Sequence, residues 1–217
     1  MGYYILTYVC IAVFVLATCR LIYRHLTLPL HVRWEIYPVQ HETAERAAYG
    51  GSYMEETDWW QKKQESSLLN ELRYMAPEIL LMRGLWKESR RLWRDSFPFH
   101  LGLYLMMATF VLLILHAFFT LWGGAAFAAG GAVRVLLDGL IAVVGWTGLI
   151  AGAIGGLGLL YRRLHDPALR AYATVADYFN ICFILLFFFC AFLAALSGDP
   201  SLDGAKAYVL GLLTAGA

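Results

Sequence analysis

Grouped thiolates are missing from this chain. Its four cysteines, Cys10, Cys19, Cys182 and Cys190, stand in no CxxC pair and at no other metal-ligand spacing. That argues against an iron–sulfur cluster on this chain, since such clusters need clustered cysteines. All four lie in apolar stretches and read as small buried hydrophobes. A Walker-type phosphate loop is also missing: GGLG at 155–158 sits inside an apolar run, the wrong context for a nucleotide. There is no HExxH zinc motif and no serine, cysteine or carboxylate constellation for hydrolysis. Charge is scarce, at 15% of residues with a formal net of +1, which argues against a nucleic-acid partner held through its phosphates. The catalytic chemistry left open is electron transfer, with quinone chemistry beside it.

Apolar sequence is what the chain has in abundance. It is 60% hydrophobic with a mean hydropathy of +0.58, the composition of an integral membrane protein. The expected fold is all-α: a membrane helical bundle over 1–217 with four full spans, a partial fifth, and a long cytoplasmic amphipathic-helical insertion after the first span. The spans are placed at 3–19, 96–121, 135–161 and 178–196, with the partial fifth at 205–217, AKAYVLGLLTAGA. The fifth stops short of the ~20 residues a crossing needs and reads as the beginning of a helix whose remainder is absent from this sequence. Arg20 and Arg24 follow the first span, and Arg162, Arg163 and Arg170 follow the third. Positive charge marks those ends as cytoplasmic, so the N-terminus lies outside. With no basic residue ahead of it, the first span reads as an uncleaved anchor.

The insertion, residues 20–95, holds 12 of the 17 Lys and Arg and 11 of the 16 Asp and Glu. Pro29 and Pro38 predict an irregular stretch over 29–42, and Gly50 and Gly51 a turn. From Ser66 to Arg94 apolar residues recur at helical spacing, and Pro77 predicts a break into two helices. Trp86 and Trp93, interleaved with Lys87, Arg90, Arg91 and Arg94, suit a helix at the headgroup level. The segment reads either as a solvated amphipathic loop or as a docking platform for a cytoplasmic subunit. Ser96 and Pro98 resemble the start of the second span, Ser96 as its cap and Pro98 in its first turn, and Asp177 a cap of the fourth. Gly145, Gly148, Gly152 and Gly156 in the third span predict close helix packing, or a surface on which a flat macrocycle can lie.

Two histidines stand inside the second span, and an ionisable group in a membrane span is a functional-site hypothesis by default. His100 and His116 are the candidate axial ligands of haem iron, which in membrane cytochromes b is held between histidines of facing helices. Their separation is roughly 24 Å along a helix, suiting one haem toward each face, and their directions differ by about 160°. They therefore address different flanks. The other reading of His116 is a neutral histidine bonded across a helix pair. His25, His31 and His41 read as solvated or interfacial. His165, in RRLHDP, is level with His100, so a His100–His165 pair is conceivable, though its loop setting favours a surface histidine.

Several stretches carry a resemblance: PLHVRWEIYPVQHE (29–42), GGSYMEETDWW (50–60), EILLMRGLWKESRRLW (78–93), SFPFHLGLYL (96–105) and DPALRAYATVADYFN (166–180). Together they resemble the nitrate-reductase gamma-subunit-like cytochromes b, in the branch found with heterodisulfide-reductase-like iron–sulfur subunits. The resemblance covers most of the chain and is specific over 29–105. It implies a five-helix subunit of a bacterial inner (cytoplasmic) membrane complex, carrying two b haems and exchanging electrons between menaquinone and a cytoplasmic iron–sulfur partner. His100, in FHLG, matches the family's first second-helix ligand. His116, in LHAFF, is the candidate for the other, at a wider spacing than in the nitrate reductase subunit. The family's last-helix histidines have no counterpart before Ala217. Tyr178 and Asn180 are candidates to line a quinone pocket, against a plain reading as helix-start and interface residues. The rival reading of the whole chain is a cofactor-free membrane anchor that tethers a redox complex.

Overall fold

The computed structural model describes residues 2–27, 44–49, 55–63, 68–128 and 130–214. The stretch at 29–42 with His31 and His41, and the Gly50–Gly51 turn, lie outside the described residues. Within them the chain is helical: α1 (Gly2–Thr27), α2 (Ala44–Tyr49), α3 (Leu68–Leu81), α4 (Arg83–Glu88), α5 (Arg90–Trp122), α6 (Ala132–His165), α7 (Pro167–Tyr172), α8 (Val175–Gly198) and α9 (Asp203–Leu213). Four of these, α1, α5, α6 and α8, are long and apolar enough to cross a membrane. The 11 residues of α9 fall short of a span.

Two compact units make up the chain. One comprises the residues up to Thr7 together with Leu85–Ala217, the other Tyr8–Gly84. In the second unit, Met82 takes the left-handed conformation (φ 52°) and ends α3. Pro77 lies inside α3, so the break expected at the proline falls at Met82 instead. The Glu78 carboxylate accepts the Gly84 amide at 2.7 Å and closes that corner.

The first unit is built on α5 and α6, an antiparallel pair with the most extensive helix–helix contact among the described residues. A Cβ added to Gly102 of α5 would stand 2.3 Å from the Gly152 Cα of α6, and one added to Gly155 would stand 2.2 Å from the Phe99 amide nitrogen. The backbones touch because neither position carries a side chain. Lipid tails are as apolar as leucine, so close packing rather than water exclusion holds such helices together. On the other side of Gly152 the Phe188 ring of α8 fills the space, and Phe188 is fully buried. Phe99, Leu149, Phe188 and Ala195 form one apolar core; Leu113, Ala117, Ile141 and Val209 form another, which α9 closes. The glycine row of α6 thus packs helices, the first of the two expectations for it.

Helix boundaries depart from expectation at α5. Ser89 caps the helix, its hydroxyl accepting the Leu92 amide at 3.4 Å. Ser96 is a buried residue of the helix interior, and Pro98 lies there too. The basic run 90–94 therefore belongs to the same continuous helix as the span. At α8 the cap residue is Thr174, and Asp177 accepts from both its amide and its hydroxyl, each at 2.8 Å. All four cysteines are exposed on helix surfaces, which corrects their reading as buried hydrophobes. Apolar character does not report burial where the surroundings are lipid.

Replacing Gly155 by Leu is expected to cost about 3 kcal/mol of stability, the upper range for overpacking, read as accelerated thermal inactivation in detergent. A Cβ added at Gly139 would meet nothing within 4 Å, so Gly139→Ala should change stability by no more than about 0.5 kcal/mol in the same measurement.

Candidate functional site

His100 and His116 share α5 but lie on separate flanks, in different surroundings. Trp93, Phe97, His100 and Tyr104 recur along one face. Trp93 stacks on Phe97 with centroids 4.5 Å apart, and the Tyr104 ring lies 6.5 Å from His100. His100 is half-buried. Its Nδ1–H donates to the Ser96 carbonyl at 2.8 Å, one helical turn back. That bond sets the tautomer and leaves Nε2 with its lone pair, without a hydrogen bond among the described residues. A histidine whose Nδ1–H is held by a backbone carbonyl is oriented to offer Nε2 to a metal.

His116 faces inward, 5% exposed, on the flank of the buried Thr109, Leu113 and Ala117. Its Nε2 stands 3.2 Å from Asp138 Oδ1 of α6, and Phe127 packs edge-on against the ring with centroids 5.2 Å apart. The approach to Asp138 is off the hydrogen-bonding direction, so both ring nitrogens are buried without a hydrogen bond among the described residues. Lys206 of α9, 7% exposed, brings its ammonium to 2.8 Å from the same Asp138 oxygen and 2.9 Å from Asp203. Arg134 stands 3.9 Å from the other Asp138 oxygen. Two carboxylates meet two cations here, and the charge balances with His116 neutral.

The other sequence candidates are accounted for locally. Tyr178 donates its hydroxyl to the Arg163 carbonyl at 3.0 Å, which ties it to the α6–α8 connection, and Asn180 is exposed. His165 is exposed, its Nδ1–H bonded to the Tyr161 carbonyl at 2.8 Å and its ring stacked on Tyr161. His25 is exposed in the last turn of α1. Among the described residues no three His, Cys, Asp or Glu side chains converge on a metal position. A haem iron asks only for single histidines from facing helices. His100 offers one such imidazole, with an oriented Nε2. The residues around His116 fit it less well, because Asp138 and Phe127 already crowd the ring.

Sequence reasoning missed the His116–Asp138–Lys206 association. In the sequence Asp138 lies four residues after Arg134 near the start of the third span, and Lys206 lies in the terminal segment. Nothing in the sequence said that these would meet at His116.

Comparison with known proteins adds no relative: no family model, curated protein or solved structure matches the chain.

Removing a carboxylate that is a third exposed from beside a buried ammonium costs about 2 kcal/mol, whereas removing both partners is nearly neutral. Asp138→Asn is therefore expected to lower thermal stability in detergent by about that amount. Adding Lys206→Met should restore it to within about 1 kcal/mol of the starting protein.

Proposed function

We propose that the chain is a haem b-carrying membrane subunit of a respiratory oxidoreductase, passing electrons between menaquinone or menaquinol and a cytoplasmic iron–sulfur partner. The observation that carries this reading is His100. Its ring is oriented by the Ser96 carbonyl, its Nε2 is open, and an aromatic face of Trp93, Phe97 and Tyr104 flanks it on a helix long and apolar enough to cross a membrane. Bound haem supplies a one-electron carrier within the apolar layer. The chain's own contribution is to hold the axial imidazole in one tautomer and to present flat aromatic surface beside it.

His100 would hold the haem, while His116 belongs to the Asp138–Lys206 cluster, so one haem is assigned and not two. Basic residues gathered at the start of α5 and the end of α6 support a cytoplasmic setting for those ends, with the N-terminus outside; a bacterial inner membrane is what the resemblance implies. The insertion 20–95 is then on the side where an iron–sulfur subunit docks. Its resemblance to the nitrate-reductase gamma-subunit-like cytochromes b is the reason for naming menaquinone and that class of partner.

A second reading, a cofactor-free anchor, is favoured by one observation: His116 already has Asp138 and Phe127 against its ring. The two readings separate in a reduced-minus-oxidised spectrum of the full chain purified with its partners. A b-type band is expected, His100→Ala should lower haem per protein at least tenfold, and His116→Gln should leave it in place. Absence of the band with all partners present would establish the anchor reading in its stead.

A further inference from the structure

At the end of the pair opposite the His116 cluster, the start of α5 and the end of α6 border a cavity of about 500 Å³. Arg91, Arg94 and Asp95 line it from α5; Tyr161, Arg162 and His165 line it from α6. Its acidic groups are already engaged. Arg162 pairs with Asp95 through Nε and donates from Nη2 to the Arg91 carbonyl at 2.7 Å. Gly158 makes room for that pair: a Cβ there would stand 3.1 Å from the Asp95 carboxyl. Asp166, at the rim, accepts the Ala168 amide at 3.0 Å and caps α7.

Uncommitted positive charge is what remains. Arg91 pairs with no carboxylate among the described residues. Arg94 comes no nearer than 3.9 Å to Asp95, and its side chain is 77% exposed. Two guanidinium forks form a donor set for the oxygens of a phosphate.

The cavity also sits where the apolar spans end. Trp86 and Trp93 meet edge to face with centroids 4.6 Å apart, and Arg90 lies over the Trp86 ring at 5.0 Å. Tryptophan and arginine together mark the headgroup level of a bilayer. We propose that this cavity binds a phosphate anion, supplied as the headgroup of an anionic phospholipid, with Arg91 and Arg94 as its principal donors. The site does not depend on whether haem is held at His100.

The full chain, delipidated in neutral detergent, is titrated with phosphatidylglycerol, with phosphatidylcholine and with inorganic phosphate, and bound lipid is counted by native mass spectrometry. Phosphatidylglycerol is expected to be retained over phosphatidylcholine. Arg91→Gln with Arg94→Gln should weaken that retention about 25-fold, roughly fivefold for each arginine. Arg91→Lys with Arg94→Lys keeps the charge, guards against a folding defect, and should weaken it less. Arg20→Gln with Arg24→Gln, an equal loss of charge on α1, should leave the preference in place. Unchanged retention in the Arg91/Arg94 glutamine variant, or equal loss in the Arg20/Arg24 variant, would overturn the assignment. Displacement of the lipid by equimolar inorganic phosphate would replace the lipid headgroup with a soluble phosphate as the ligand and overturn the lipid source.

Discussion

The contact of Gly102 on Gly152 is the constraint on which the membrane unit depends. In water a helix pair gains from removing apolar surface from solvent. In lipid that gain is absent, and attraction comes from many short dispersion contacts. Such contacts accumulate only when two backbones approach closely, and here the missing side chains at 102, 152 and 155 permit it. Gly152 meets α5 on one side and the Phe188 ring on the other. One residue without a side chain therefore seats two neighbouring helices, and the apolar core of Phe99, Leu149 and Phe188 forms around it.

Register follows from the two ends of that pair. Because α5 and α6 run antiparallel, residues early in one face residues late in the other. Asp95 meets Arg162 at one end, and His116 meets Asp138 at the other. A helix sliding by one turn would separate both pairs and leave the largely buried Arg162 without its carboxylate, which costs more than losing a surface ion pair. Lys206 extends the second pair to α9, and so a helix too short to span is fastened to the bundle by charge as well as by Val209. At its other flank Tyr208 meets Thr7 and stacks on Tyr4, both near the start of α1.

Where expectation and structure part, the cause is specific. Ser96 and Pro98 carry the local signs of a helix start, yet α5 begins at Ser89. The polar run 90–94 is also good helix-forming sequence, so a membrane boundary is not a helix boundary. Pro77 suggests a break that Met82 makes. Proline removes one donor and can be accommodated in a helix, whereas a left-handed residue turns the chain. The cysteines face outward because lipid accepts apolar surface that water would drive inside.

Taken alone, the order of amino acids sets the class of protein: long apolar helices, their succession, their charged ends, and glycines at a spacing that lets two of them touch. It also singles out His100 and His116 and, by helical phase, puts them on different flanks. Periodicity is a property of one helix, and everything of that kind was readable. Which helix lies against which flank is a property of the packed bundle. Packing is what turns His116 to Asp138 and Lys206 while His100 keeps an open nitrogen beside an aromatic face. It likewise brings Arg91 and Arg94 to the same cavity as His165. Those relations join residues far apart in the chain, and they exist only once Gly102 has met Gly152.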